Sequence, residues 1–519
     1  MRSDSLILRD HFYQALKRHQ DKVAVTAPDG KLTYRELLVQ ASKLANALNA
    51  LGVGRGDKVV LLLRNSVDYV IADIAIILAG ACKVPLNDML AANDVGYMIN
   101  HADAKAVISH TSFAPTINAI QSELSAVKVK ISCSDTKDVL EGFVSVDNVV
   151  AKTSSTLKSG DTPDAKDPGL IIYTGGTTGK PKGVYHTQES LLVNFLSHLT
   201  YAEIRQDEHL LICSPLPHSA QQFVLSALLM GAQITIENGF DITRVLNLIE
   251  TTKITWCFMV PTMIYRLLDA PRLGEINCSS LRTIVYGASP ITAARLRQGL
   301  EYFGPIFLQI YGQTEVPNFV TVLSKQDHLK EQFQTSCGQP VMFCNVAIRD
   351  ESGTVLEYGE VGEITVKSYY SLERYYKNPA KTETSYIGSH LRTGDVGYQH
   401  ESGHVFLVDR ANDMIISGGM NVYSTEVENV VNETILTGQV VVIGVPDDDW
   451  GEAVTAFIVG VEEQVDEDKI INHCKTKLAK YKVPKHIKLV DEIPLTPYGK
   501  PDKKALRAQF WGQQSRQIN

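Results

Sequence analysis

A ten-residue stretch from Thr174 to Gly183, Thr-Gly-Gly-Thr-Thr-Gly-Lys-Pro-Lys-Gly, gathers four glycines, three threonines and two lysines directly after the apolar run Gly169-Leu-Ile-Ile-Tyr173. These are the groups a phosphate-wrapping loop needs: glycines for close backbone approach, threonine hydroxyls as donors, and lysines to neutralise charge. The stretch reads as a nucleotide triphosphate loop in which Thr174, Gly175, Gly176, Thr177, Thr178, Gly179 and Lys182 would meet the nucleotide. It is not a P-loop. That pattern sets four residues between two glycines and follows the second with Lys-Ser or Lys-Thr, whereas Thr174 stands five before Gly179 and Pro181 follows Lys180. Proline supplies neither a hydroxyl nor an N–H. A plain Gly/Thr surface loop has the same composition, so the reading depends on the other stations of the chain.

Those stations follow in order. Ser214-Pro-Leu-Pro-His218 closes a strand with a histidine, at the end where open α/β sheets place ligands; His218 could serve as an acid/base or as a pocket wall, with Gln222 and Val260 as further wall candidates. At Tyr286-Gly-Ala-Ser-Pro290 a strand passes into a helix, which lets the backbone of Gly287, Ala288 and Ser289 touch a flat ring or a carboxylate, and Tyr286 and Gly287 are further pocket candidates. Gln309-Ile-Tyr-Gly-Gln-Thr-Glu315 offers an aromatic ring (Tyr311), a close-approach glycine (Gly312), a hydroxyl (Thr314) and a carboxylate (Glu315). A nucleotide site uses such groups to pack on the base, to donate to the α-phosphate and to hold magnesium. Arg392-Thr-Gly-Asp395 presents a carboxylate suited to two ribose hydroxyls. Near the end come Asp409-Arg410, the glycine pair Gly418-Gly419, Trp450 in Asp449-Trp-Gly-Glu452, and Lys500 on the Pro/Gly-rich Ile493-Pro-Leu-Thr-Pro-Tyr-Gly-Lys500. Trp450 could equally pack between strands.

The elements that must position these groups alternate along the chain. Val23 to Thr26, Lys58 to Leu63 and Ala104 to Ser109 read as strands; a helix capped by Thr33 carries Leu37, Leu38, Ala41, Leu44, Ala45 and Leu48 on one face. The apolar run Tyr69 to Ala81 contains Asp73 and is too short to span a bilayer, so it reads as a buried helix. A second series, with strands at Leu210 to Cys213, Gln233 to Ile236, Trp256 to Val260 and Thr283 to Tyr286, repeats the βαβ rhythm and implies mostly parallel sheets. From Asn345 the pattern changes to short alternating strands between Asp/Gly turns, which reads as antiparallel, and the residues after Asp409 form a compact α+β unit.

Bulk properties narrow the function. A chain of 519 residues exceeds one ordinary core. A formal charge of −8 argues against nucleic acid and anionic membranes as partners. Eight scattered cysteines without a CxxC pair read as reduced thiols of a cytoplasmic protein, and neither a signal peptide nor a transmembrane segment is expected.

In this order, and over nearly the whole chain, the stations resemble the adenylate-forming superfamily of acyl-CoA synthetases, adenylation domains and luciferases. The resemblance implies an α/β protein: an N-terminal domain over residues 1–408, made of two stacked βαβ sheets with a β-barrel-like part at about 340–408, and a small mobile α+β C-terminal domain over 409–519. It implies ATP, Mg2+ and coenzyme A, with a small carboxylic acid activated as acyl-adenylate and then passed to a thiol. Thr174 to Gly183 becomes the phosphate loop, Asp395 the ribose residue, Arg410 the domain-junction arginine, Glu315 the magnesium ligand and Lys500 the catalytic lysine. The resemblance implies that Gly418 and Gly419 line the coenzyme A channel and that Asn412 or Asp413 is the hinge, with Trp450 a candidate contact for coenzyme A. Ser219-Ala-Gln-Gln-Phe223 lacks the aspartate that amino-acid-activating relatives keep, and no carrier segment follows Lys500, so a free-standing acyl-CoA ligase is expected and carrier-protein loading is the alternative. Aryl, short-to-medium acyl and succinylbenzoate-like acids all remain open.

Overall fold

The structure, a computed structural model, describes residues 7–158, 161–174, 180–289, 291–410, 413–435, 439–447, 449–460, 465–496 and 501–511, with the Arg410 side chain outside that set. Local sequence signals set many of its elements. Thr33 and Glu36 form a reciprocal capping box at the start of the helix Tyr34–Ala50: the Thr33 hydroxyl accepts from the Glu36 N–H at 3.2 Å, and the Glu36 carboxylate from the Thr33 N–H at 2.7 Å. Ser66 caps the helix Val67–Leu78, which ends before the left-handed Gly80 (φ +73°) and so is shorter at its C-terminus than the apolar run suggests. Asp73 lies inside this helix, 4 % exposed, and its carboxylate receives Lys83 Nζ at 2.6 and 2.7 Å from the next strand, Cys82–Pro85. Burial pushes the Asp73 carboxyl up and the Lys83 ammonium down from their ordinary values, each opposed by the other's charge.

Among the described residues the strands form four sheets. One runs Arg374–Tyr375, Lys182–Thr187, Pro168–Thr174, Cys82–Pro85, Lys58–Leu62, Ala104–His110, Val129–Cys133, Val144–Ser145. A second runs Gln339–Pro340, Val316–Leu323, Phe307–Gln313, Thr283–Tyr286, Trp256–Met259, His209–Ile212, Gln233–Ile236, Val23–Ala27, Gly30–Thr33. Their interiors are parallel, as the βαβ rhythm demands. The pairing turns antiparallel at one edge of the first sheet and at both edges of the second, and the connections from Phe307–Gln313 to Val316–Leu323 and from Val23–Ala27 to Gly30–Thr33 are too short for a crossover. Leu8, Phe12, Leu37, Leu44, Ile74, Leu191 and Phe223, all on helices, share one core with Val59 and Leu61 of the first sheet and Ile212 and Phe258 of the second, so a helical layer lies between the sheets. Separate apolar clusters cover the outer faces.

Cys344–Arg349, Gly362–Ser368, His390–Gln399, Tyr386–Ile387 and Val405–Arg410 make an antiparallel third sheet. The fourth, Met420–Val422, Ile415–Ser417, Gly451–Val459, Gln439–Asp447 and His486–Val490, carries its own cores on two faces. No helix of the described residues is long and apolar enough to cross a membrane.

Candidate active site

The phosphate-loop candidate lies between two antiparallel strands, Pro168–Thr174 and Lys182–Thr187, whose register pairs Thr174 with Lys182. Gly175, Gly176, Thr177, Thr178 and Gly179 lie outside the described residues. Lys182 is half-buried, and burial followed by the nearby Lys381 pushes its ammonium below the ordinary lysine value, with Glu315 opposing them. The strand pair Arg374–Tyr375 adds to the outer edge of this hairpin, pairing Tyr375 with Val184.

The second sheet brings Tyr311 to Glu315 to the same place. Phe307–Gln313 and Val316–Leu323 pair antiparallel, and with Gln313 opposite Val316 the residues Thr314 and Glu315 form the two-residue turn. Three contacts join this turn to the first sheet's edge. His186 Nε2 stands 2.9 Å from the Thr314 carbonyl, the Leu372 N–H donates to the Glu315 carbonyl at 2.7 Å, and the Tyr375 hydroxyl donates to Glu315 Oε1 at 2.7 Å. Thus Lys182 and the adjacent pair Thr314 and Glu315, far from it in sequence, share one edge. Among the described residues no cluster of three or more His, Cys, Asp or Glu side chains is gathered for a metal. A single carboxylate, hard in its oxygen donors and held by a neutral phenol, fits magnesium of the kind completed by substrate phosphates.

From the second sheet to the third, the Tyr311 hydroxyl donates to Asp395 Oδ2 at 2.7 Å, joining two predicted nucleotide residues 84 positions apart. Burial, then the Asp395 charge, pushes the Tyr311 phenol well up, so it stays a donor. Asp395 is 4 % exposed and pairs across strands with Arg410, which places the backbone of the junction candidate beside the ribose candidate. Gly287 closes the strand Thr283–Tyr286 where a Cβ would stand 2.6 Å from the Ile310 carbonyl oxygen, so a side chain there would push the two strands apart. Ala288 follows with φ +72°, a strained conformation for a residue with a Cβ, and Ser289 is half-buried beside it.

The acyl-pocket candidates divide. His218 sits in a kinked turn, Leu216–Ala220, with non-helical φ −119° and ψ −130°, and Gln222 follows in the helix Gln221–Met230, buried, its Oε1 meeting no partner among the described residues. The Ser214 hydroxyl reaches Met263 Sδ at 3.9 Å, which sets the helix start after the half-buried Val260 near this turn. Tyr286 is different. Its ring is fully buried with Ile284, Met259 and Phe307 on the outer face of the sheet, whereas Phe223 of the Gln222 helix packs with Phe258 and Val285 on the inner face. Strand alternation therefore turns Tyr286 away from Gln222, and its hydroxyl meets Gln309 Oε1 at 3.0 Å and His328 Nε2 at 2.9 Å instead. The Tyr286 ring thus lies on the face of the sheet opposite Phe223.

In the fourth sheet Gly418 and Gly419 form the turn of the hairpin Ile415–Ser417 and Met420–Val422, with φ +58° and +76°. The Gly418 N–H donates to the Trp450 carbonyl at 2.8 Å, and Lys485 Nζ lies 4.1 Å from the Trp450 ring centre. Trp450 is 38 % exposed, so it does not pack between strands. Lys500 and Asn412 lie outside the described residues. The residues flanking Lys500 are pinned: Leu495 pairs with Pro501, the Asp502 N–H donates to the Pro494 carbonyl at 2.7 Å, and Lys503 Nζ reaches Ser424 Oγ at 2.6 Å and Glu428 Oε1 at 2.8 Å. Asp413, the other hinge candidate, is ion-paired with Arg507 at 2.7 Å.

Sequence reading missed Asn65, His186 and Tyr375. Asn65 Nδ2 donates to the Ser214 and Glu237 carbonyls, both at 2.9 Å, and its Oδ1 accepts from the Leu216 N–H at 2.9 Å, so it holds the loop that carries His218. None of the three sits in a glycine-rich or charged motif, and only the pairing of distant segments reveals them.

Comparison with known proteins agrees with this geometry. The AMP-binding enzyme family matches residues 12–376, and the AMP-binding enzyme C-terminal domain matches residues 426–500. A medium/long-chain fatty acid–CoA ligase of Mycobacterium tuberculosis is 36 % identical over 510 residues, covering 96 % of this chain and 89 % of that one. Among solved structures, the amide bond synthetase of Marinactinospora thermotolerans superposes with a TM-score of 0.86 at 30 % identity, covering 96 % of this chain and 100 % of that one. An anthranilate CoA ligase in complex with anthranoyl-AMP reaches 0.89 at 26 % identity, covering 98 % and 99 %. The chain belongs to the AMP-binding enzyme family.

Proposed function

We propose that the chain is an AMP-forming acid–thiol ligase that joins a carboxylic acid to coenzyme A through an acyl-adenylate. The observation that carries the reading is the convergence of Lys182, Thr314 and Glu315 on one edge, with Tyr311 and Asp395 joined beside them. In this reading Lys182 neutralises the departing phosphates, Thr314 donates to the α-phosphate, and Asp395 accepts the ribose hydroxyls next to Arg410. Glu315 would hold magnesium, which supplies charge neutralisation on the phosphates when bound. The carboxylate attacks the α-phosphorus, pyrophosphate leaves, and Lys500 stabilises the charge that develops between them; positioning and electrostatics carry such a transfer. The thiol then displaces AMP.

The domain boundary is proposed at Asp409-Arg410, where the antiparallel sheet ends and the chain enters a unit with separate cores. Rotation about Asn412 or Asp413 would withdraw Lys500 and bring Gly418, Gly419 and Trp450 to the thiol. Fatty and aryl acids are the proposed substrates, supported by the 36 % identical fatty acid ligase and by the anthranilate ligase of the same fold. Carrier-protein thiol as acceptor is the alternative.

Hydroxylamine trapping of acyl-adenylate over octanoic, palmitic, benzoic, anthranilic and 2-succinylbenzoic acids, with and without coenzyme A, tests this. Acid-dependent hydroxamate together with coenzyme A thioester supports the proposal; adenylate without thioester favours the carrier alternative. Lys500→Ala is expected to lose adenylation by about 10²–10³-fold, the scale for one transition-state donor, while still forming thioester from preformed adenylate. Equal loss in both halves refutes the role of Lys500.

A further inference from the structure

The strand that leaves the phosphate loop, Lys182–Thr187, presents Lys182, Val184 and His186 on one face. His186 is fully buried, and its ring reaches across to the other sheet, where Nε2 lies 2.9 Å from the carbonyl of Thr314. A carbonyl can only accept, so Nε2 carries the proton and Nδ1 is a bare acceptor. Burial lowers the imidazole to about 4, which keeps this single tautomer neutral. Nδ1 is buried too, and it meets no partner among the described residues. Leaving a buried acceptor unmet opposes folding, and an apolar side chain of similar volume would fill the position without that cost. What the histidine contributes is the Nε2–H donor, and its target is the backbone of the turn that holds Thr314 and Glu315.

That turn has two residues between the paired Gln313 and Val316. A restraint on the Thr314 carbonyl therefore restrains both side chains. Glu315 has its own holds, from the Leu372 N–H and the Tyr375 hydroxyl; the hold on Thr314 comes from His186.

We infer that His186 is a positioning residue for adenylation: its Nε2–H fixes the Thr314 carbonyl and so sets the Thr314–Glu315 turn in register with Lys182 on the strand that carries both. The inference rests on the proposed placing of ATP at Lys182, Thr314 and Glu315. A turn left free to shift by about an ångström costs between about ten- and a hundredfold in a reaction that depends on alignment.

The test uses the full chain and three variants: His186→Gln, which returns an N–H near the Nε2 position, and His186→Leu and His186→Met, which do not. Mg-ATP binding is measured by calorimetry without acid. Hydroxamate formation with octanoic acid, or with the acid of the panel that the unaltered enzyme adenylates best, is followed against ATP and against acid, beside thermal midpoints. The expected result is a ten- to hundredfold loss in kcat/KM for ATP in the Leu and Met variants, with the KM for the acid unchanged and the Gln variant within about threefold of the unaltered enzyme. Unchanged ATP kinetics in the Leu and Met variants, equal impairment in the Gln variant, or a KM for the acid that rises as far as kcat/KM for ATP falls each overturn the inference. If both donor-less variants fail to fold, His186 serves stability and the inference falls. An unaltered enzyme that binds no Mg-ATP would instead refute the reading of the site, a separate and distinguishable failure.

Discussion

Replacing Gly418 with alanine should separate the two halves of the reaction. Gly418 holds φ +58°, and the left-handed region costs an alanine about 1–2 kcal/mol. A Cβ there would also stand 2.8 Å from Cε3 and 3.1 Å from Cζ3 of Trp450. Ordinary contact begins at 3.4 Å, so the ring must retreat by about 0.6 Å or more. It can, because Trp450 is 38 % exposed, but the retreat disturbs its stacking under Lys485, worth about 0.5–1 kcal/mol at an exposed site. Together these amount to about 1.5–3 kcal/mol, or between about ten- and 150-fold on a step that uses this surface. Gly419→Ala is the internal control: its φ of +76° carries the same backbone strain, but nothing lies within 4 Å of its Cβ, so its effect should be the smaller. The assay compares single-turnover thioester formation from preformed acyl-adenylate with hydroxamate formation in the absence of coenzyme A. The expected outcome is a slowed thiol step beside unchanged adenylation. Equal loss in both, or Gly419→Ala as damaging as Gly418→Ala, would refute the assignment of the Gly418 and Trp450 surface to the thiol.

Lys83→Met strands the Asp73 carboxylate in the interior, an effect of about 3–5 kcal/mol. A large fall in thermal midpoint is therefore expected, with most of it restored in Asp73→Leu/Lys83→Met; a fall of similar size in the double variant would contradict the ion-pair account. His186, His198 and His328 are each lowered by burial to about 4, below the unfolded value of 6.5. Between those values the unfolded chain binds more protons, so stability rises with pH through the window and falls as pH drops from 6.5 towards 4, by up to about 4 kcal/mol per pH unit for three such groups. Urea midpoints from pH 7.5 to 5 should decline steeply below 6.5; a flat profile would count against three neutral buried histidines.

Much of the fold was readable because its signals are local. The Thr33 cap and the apolar strand at Lys58 are each settled within a few residues of themselves, whereas the helix end before Gly80 was hidden by an apolar run that continues to Ala81. Tyr311 and Asp395 could be named separately from their types and neighbours, but not as a bonded pair, because only the meeting of two sheets makes them one. The same limit hid Asn65, His186 and Tyr375, which are ordinary polar residues until the segment they hold is known. Tyr286 shows a sharper limit. Its neighbour Gly287 marks the strand end correctly, yet the face on which the ring lies depends on the register of a strand buried on both sides, where apolar residues point both ways and alternation leaves no trace in the sequence.

The pairing of Thr174 with Lys182 sets an evolutionary constraint on the segment between them. In an antiparallel pair, a shift of register by one residue turns each side chain to the opposite face. Deleting a single residue between these partners would therefore tend either to swing Lys182 away from Glu315 or to break the pairing that leads on to His186. The length of the segment is then held as tightly as the residue types that would meet the phosphates. Among homologues, insertions and deletions should accordingly be much rarer there than in the irregular connection before Pro168.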